Sequence, residues 1–414
     1  MITRYIYSAC IVIETQDISI CCDPWFTQGI YDGAWYQYPR VQDPVRTIGP
    51  VDFIYVSHIH PDHYDPPILR EILEANPSCE VLIGDENQSF LESKMRRDGF
   101  KPQKLSRQAF GATEIGIFPN RAGSEINIDS ALVVKDAESV VVNMNDCPFD
   151  DEQIGEIKEF CGTRPDLACL PYAGAGPYPQ AYRFDNELDR ISAADAKKEQ
   201  FLALFGKYFQ TLNPRLAMPF AGLYYLGGNR RWMNHSRGVP DAVEVVQRFG
   251  SSVIVLEEGI GTVNLRTREV RHQRILPHDH DQRDAYLSTF DGVAFPYMID
   301  ESISEADLIS KLRAAHLNAC QRIGDKPQGW IFFKTPSTRF LGVHANRPGE
   351  IEVHDSLGGL EPREEIFIDG RLLAGLLERR YHWNNAEIGS HFEFRRVAQN
   401  YDRRVYDLLN FLHV

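Results

Sequence analysis

The sequence predicts an α/β sandwich with its sheets inside and its helices outside, followed by a smaller α+β appendage. Three observations predict it. Short β-branched runs alternate with turns from the first residues onward, amphipathic helical stretches follow several of those runs, and two apolar strands end abruptly in polar residues.

Tyr5–Thr15 and Asp17–Cys22 read as a strand pair turning at Gln16-Asp17. Val51–Ser57 is an apolar run whose carboxyl end opens into a polar loop, the pattern of a buried strand. Over 67–76 the residues Ile68, Leu69, Ile72 and Leu73 share one helical face. A strand at Glu80–Gly84 and a helix near Gln88–Arg97 follow. Ala131–Lys135 and Ser139–Asn143 read as paired strands, the second again ending in polar residues. Ile191–Thr211 is a charged amphipathic helix, and Arg215–Phe220 and Val253–Glu257 are further strands. His278-Asp279-His280-Asp281 reads as a polar break, which divides the chain into residues 1–278 and 279–414. Beyond it lie a helix (Ala306–Ile323), three strands (Trp330–Lys334, Phe340–Ala345, Ile351–His354) and a final helix (Arg403–Leu412).

The chain has 414 residues, long enough for two domains or one large domain with an appendage. Lys and Arg number 44 against 58 Asp and Glu, a net charge of −14. So acidic a surface repels phosphate backbones and anionic lipid, which argues against nucleic acid and membrane as partners. No run approaches the roughly 18 apolar residues of a membrane span. The N-terminus opens into a strand-like run without the marks of a signal peptide, and the eight scattered Cys form no CxxC pair. These read as reduced thiols of a cytoplasmic protein.

The strongest chemical signal is Ser57-His58-Ile59-His60-Pro61-Asp62-His63, an HxHxDH pattern directly after the buried strand. Imidazole nitrogens with a carboxylate suit Zn²⁺, Fe²⁺ or Mn²⁺. Three His and an Asp at a strand end are costly to bury unpaired, and a shared cation removes that cost. On these residues the chain resembles the metallo-β-lactamase superfamily, whose fold is an αββα sandwich. The resemblance implies that His58 and His60 hold one metal, that Asp62 and His63 hold a second, and that Asp146 bridges them. It also likens Asp23, in Cys22-Asp23-Pro24-Trp25, to the carboxylate that fixes the tautomer of a ligating His. A turn-forming Asp-Pro competes with that reading.

Further segments resemble one branch of the superfamily, the CMP-N-acetylneuraminate hydroxylases and their stand-alone bacterial relatives. They are Asp23–Phe26, Ile128-Asp129-Ser130, Asn145-Asp146-Cys147, Tyr172–Pro179 and Pro219-Phe220-Ala221-Gly222, with a weaker continuation through His382-Trp383 and Tyr401. Three departures stand out. No Rieske-type Cys-x-His…Cys-x-x-His pair is present, so electrons would come from a separate protein. At the family's next His stands Ser124-Glu125, making Glu125 either an oxygen ligand or a surface carboxylate. At the late His stands Gly227-Gly228, leaving His235 as the nearest substitute ligand, or an exposed loop residue. Two imidazoles plus carboxylates approach the set that favours non-haem iron. The expectation is mono- or dinuclear iron, or zinc, with one metal held firmly and a second weakly.

Tyr172 lies in a small-residue loop where backbone N–H groups can approach a ligand closely, and a structural turn competes. Arg230 and Arg231 follow Gly227-Gly228-Asn229, where guanidinium groups would suit an anionic substrate or stand solvated. His382 and His391 in the tail either close over the cleft or are buried and hydrogen-bonded.

Two activities follow. In oxidation, iron beside a small polar, amino-sugar or nucleotide-sugar substrate inserts oxygen with electrons from a separate donor. The resemblance to the hydroxylases favours it. In hydrolysis of a phosphodiester, lactone or amide, a metal-activated water attacks, oriented by Asp62 or Asp146, while Tyr172 or Arg230 stabilises the oxyanion. A third possibility is a ligand-binding fold without catalysis.

Overall fold

The computed structural model describes residues 1–86, 90–121, 129–398 and 401–414. Two sheets lie face to face. The first has eight strands in the spatial order Glu269–Arg271, Thr262–Asn264, Ile2–Tyr7, Cys10–Glu14, Ser19–Cys22, Phe53–Tyr55, Glu80–Gly84 and Gln103–Leu105. The second has six, in the order Leu216–Phe220, Leu167–Pro171, Val140–Asn143, Ser130–Lys135, Thr113–Pro119 and Arg107–Phe110.

Side chains alternate across each strand, so each sheet has two apolar faces. Ile11, Ile13, Ile20, Tyr55 and Leu82 of the first sheet meet Ile117, Leu132, Val134, Val141 and Leu167 of the second in one inner core. The intervening residues Val12, Cys21, Ile54, Val81 and Ile83 face outward onto Ile68, Leu69, Ile72, Leu91 and Met95 of the helices Pro66–Ala75 and Phe90–Arg97. Val133, Val142, Ala168 and Leu170 likewise face Ile154, Ile157, Leu202, Phe205 and Tyr208 of the helices Asp151–Cys161 and Glu187–Leu212. The layers therefore run helix, sheet, sheet, helix, as the sequence predicts.

Ser19–Cys22, Phe53–Tyr55 and Glu80–Gly84 run parallel, as do Val140–Asn143, Leu167–Pro171 and Leu216–Phe220. Parallel strands bring their carboxyl ends, and the loops that follow, to one edge.

A separate core follows in the sequence. Five strands in the order Glu352–His354, Phe340–Val343, Trp330–Lys334, Arg363–Phe367 and Glu393–Val397 pack against the helices Glu305–Arg322, Gly370–Leu377 and Arg403–Phe411. No helix among the described residues is long and apolar enough to cross a membrane. All eight cysteines are buried free thiols.

Four local expectations are corrected. Tyr5–Thr15 is not one strand, because Ser8 adopts a positive φ of 48° and splits it into Ile2–Tyr7 and Cys10–Glu14. Val253–Glu257 makes only isolated bridges, Ala217 with Val253 and Leu256 with Gln273. His278–Asp281 is not a break, because Asp279 caps the helix His280–Ser288 by accepting from the Gln282 N–H. The strands Arg363–Phe367 and Glu393–Val397 went unassigned because their alternation is interrupted by charge: Glu364 and Glu365 are buried in the sheet.

Candidate metal centre

The site forms where the Phe53–Tyr55 and Val140–Asn143 strands end. Tyr55 fastens the two sheets there, its hydroxyl donating to the Ser130 carbonyl at 2.8 Å. Asp23, at the end of the neighbouring strand, has a positive φ of 39°, a region that Asp tolerates better than most residues. Its fully buried carboxylate accepts from the Ser57 N–H and the Ser57 hydroxyl, both at 2.7 Å, and from His63 Nδ1 at 3.0 Å. A carboxylate in this position accepts only, so a hydrogen of His63 sits on Nδ1 and Nε2 is the nitrogen left to face a cation.

That nitrogen has no hydrogen-bond partner among the described residues. His63 Nε2 stands 3.5 Å from Asp62 Oδ2 and 3.5 Å from Asp146 Oδ1. Both His63 Nε2 and Asp146 Oδ1 are buried without a hydrogen-bond partner. Ligand atoms of His58, His63 and Asp146 all lie within 4.8 Å of one another. His58 Nε2 and His60 Nδ1 face each other at 2.9 Å. Asp146 is aimed inward by a tight turn at Asn145, which has a φ of 51° and donates from Nδ2 to the Ser130 carbonyl at 3.1 Å.

The electrostatics are those of an uncompensated cluster. Burial alone would discharge His63, yet the carboxylates of Asp146, Asp62 and Asp23 push its pKa up to about 10. Burial and the neighbouring His63 pull His58 down to about 4. Asp129 is pushed up to about 7 by burial and by the Asp146 charge, and its Oδ1 is also buried without a partner. Orphaned imidazole and carboxylate atoms at such spacing fit a divalent cation, which would accept all of them at once.

Two neighbours complete the surroundings. The Tyr31 hydroxyl donates to Asp62 Oδ1 at 2.5 Å. Asn384, from the C-terminal region, places Nδ2 3.0 Å from His60 Nε2 and accepts the Tyr406 hydroxyl at 2.9 Å. The same C-terminal stretch clasps the loop that carries Tyr31. His391 Nε2 lies 2.8 Å from the Tyr31 carbonyl, Trp35 Nε1 donates to the Ile388 carbonyl at 3.2 Å, and Arg230 Nη2 donates to the His391 carbonyl at 2.6 Å.

The structure thus gathers His58, His60, Asp62, His63 and Asp146. Glu125 lies outside the described residues. Four expected residues stand elsewhere. His235 is exposed on the 3-10 helix Gly228–Ser236, because Met233 and Ser236 take its buried face. Arg230 is engaged by the His391 carbonyl, and Arg231 by Asp291 at 2.7 Å, so neither guanidinium is offered to the cluster. Tyr172 is buried beside Gly222, where a Cβ would stand 2.8 Å from its ring, and it lines a separate cleft. Of the tail histidines, His391 is the buried, hydrogen-bonded kind, sharing Tyr31 and Tyr297 as partners.

Tyr31, Asp129 and Asn384 went unassigned from sequence. Asp129 lies in the family-like segment Ile128-Asp129-Ser130, four residues after Glu125, and its acidity is the signal that the sequence offers. Tyr31 and Asn384 carry no local pattern.

Residues 3–182 match the model of the beta-lactamase superfamily domain. A Mycobacterium tuberculosis protein named as a Rieske 2Fe-2S iron–sulfur protein is 34% identical over 222 residues, covering 51% of this chain and 42% of the relative. The cytidine monophosphate-N-acetylneuraminic acid hydroxylase of Asterias rubens is 24% identical over 234 residues, covering 53% of this chain and 34% of the relative. The matched stretch thus spans less than half the length of these curated relatives. Among solved structures, the diiron β-hydroxylase CmlA from Streptomyces venezuelae superposes with a TM-score of 0.40 at 16% identity, covering 60% of this chain and 52% of that one.

Proposed function

We propose that this chain, whose residues 3–182 belong to the beta-lactamase superfamily, is a metalloenzyme that oxidises a small polar substrate with electrons from a separate protein. The observation that carries the reading is the donor set. Carboxylates of Asp62 and Asp146 stand 3.5 Å from His63 Nε2, and Asp129 feels the charge of Asp146, His60 and His63, so three carboxylates accompany the imidazoles of His58, His60 and His63, a carboxylate-rich set suited to iron. The relatives named as hydroxylases and as Rieske proteins support the same direction. The division into residues 1–278 and 279–414 belongs to this proposal, the first unit carrying the cluster and the second supplying Asn384 to it.

His58, His60 and His63 with Asp62, Asp129 and Asp146 would hold the ion. Bound there, iron supplies redox chemistry with dioxygen, whereas zinc supplies an activated water. The chain's own groups have definite tasks. Asp23 keeps the His63 hydrogen on Nδ1. Tyr31, its phenol pushed well up by burial and by Asp62, remains a neutral donor to the Asp62 carboxylate. Asp129, near pKa 7 without an ion, would give up its proton on taking one.

Hydrolysis is the second reading, favoured by the superfamily match itself. Metal analysis of protein purified without added metal separates the two. One or two irons per chain, with a ferrous signal perturbed by nitric oxide, is the expected result. Two zincs with phosphodiesterase or lactonase turnover would overturn oxidation in favour of hydrolysis.

A further inference from the structure

A second cleft, of about 290 Å³, opens beside the 3-10 helix Gly228–Ser236. Arg237 lines it and is only 8% exposed. Its Nη1 donates to the Tyr224 carbonyl, and its guanidinium carbon lies 3.6 Å from the centroid of the Tyr224 ring. Nε and Nη2 are buried and have no hydrogen-bond partner among the described residues. A cation over an aromatic face is partly compensated, but two unmet donors on a buried charge remain costly.

Nε and Nη2 form one edge of the guanidinium, the edge that takes two oxygens of a planar or tetrahedral anion at once. The acidic groups around the cleft do not meet this need. Asp241 is taken by Arg274 at 3.1 Å and Glu244 by Lys198 at 3.0 Å, while Asp195 is exposed to solvent. The arginine is also held in place. Gly238 follows it with a φ of 63°, and a Cβ there would stand 2.7 Å from the Ala194 carbonyl oxygen, so the chain is pressed against the long helix.

We propose that this cleft binds a small-molecule oxyanion, a carboxylate or phosphate group gripped by Nε and Nη2 of Arg237. A row of packed rings lies between it and the metal centre. Tyr224 stacks on Trp35 with ring centroids 3.3 Å apart, Trp35 leans on Tyr31 at 4.6 Å, and Tyr31 holds Asp62. The site needs no metal, so its test is independent of the proposed oxidation.

The test is calorimetric titration of the full, metal-free chain with inorganic phosphate and, separately, with acetate, at ionic strength held constant with chloride. Saturable binding of phosphate identifies a phosphate group as the natural ligand's handle; saturation by acetate identifies a carboxylate. Arg237→Lys keeps the charge but loses the fork, and it weakens binding by about tenfold or more. His58→Ala leaves binding within about twofold, because the cluster is a separate site. Failure of both anions to saturate, an unchanged Arg237→Lys variant, or loss of binding in His58→Ala each overturns the proposal. A wild-type crystal soaked in arsenate reads the position without any variant. Density at Arg237 Nε supports the site, and density elsewhere alone refutes it.

Discussion

Asn384 stands 3.0 Å from the outer nitrogen of His60 although 324 residues separate them in the chain. As placed, the amide Nδ2 can only donate to Nε2; turned over, its Oδ1 accepts the Nε2 hydrogen of the tautomer that leaves Nδ1, which faces His58, for the cation. Tyr406 holds the amide from behind. Asn384→Leu should weaken metal binding by about 10–100-fold, whereas Asn384→Asp, which keeps an acceptor, should stay within about threefold. Competition with a chromophoric chelator measures both. Equal losses in the two variants would mean that Asn384 only packs.

Asp23 combines a backbone task with a hydrogen-bonding one. Asn tolerates positive φ nearly as well, so Asp23→Asn should fold with little change while losing the carboxylate that orients His63. Metal affinity should fall by about 10–100-fold. Asp23→Ala should cost, in addition, about 1–3 kcal/mol of unfolding free energy, because the buried Ser57 N–H and hydroxyl lose their acceptor. Urea unfolding of the metal-free proteins separates the two effects.

Metal uptake should be coupled to proton release. His63, with its pKa near 10, is protonated in the metal-free protein at neutral pH, and a cation on Nε2 must displace that proton. Each unit of rising pH from 7 to 9 should therefore tighten binding by about tenfold. Below pH 7 Asp129 is protonated as well, and the dependence should steepen toward about a hundredfold per unit. His58, near 4, is already neutral and adds nothing above pH 5. A flat dependence between pH 7 and 9 would contradict this arrangement.

Removing the metal should lower stability by simple mass action. At a free cation concentration 100-fold above Kd, the bound form gains about 2.7 kcal/mol over the metal-free protein. His58→Ala should melt at the same temperature with and without the cation. A persistent shift in that variant would place the ion elsewhere.

The sandwich was legible because its strands carry dense β-branched runs and its helices a clear apolar face, as at Ile68, Leu69 and Ile72. The HxHxDH loop and Asp146 were legible because polar residues follow buried strands abruptly. What the sequence concealed depends on distance and on backbone shape. Asn384 meets His60 only through the placement of the helix Trp383–Ile388, and Tyr31 reaches Asp62 from a loop whose Tyr31 and Asp32 both adopt positive φ. Arg230 misled because two neighbouring arginines after a Gly-Gly pair look available, yet each finds an acceptor in the folded chain.

The clasp of His391, Ile388 and Arg230 on the Tyr31 loop has a consequence for biosynthesis. A ribosome releases His60 some 324 residues before Asn384. At about 5–20 residues per second, that interval lasts roughly 15–65 s. Throughout it the nascent chain displays its imidazoles and carboxylates without their final fastening, so the centre is not completed until the ribosome has passed Asn384.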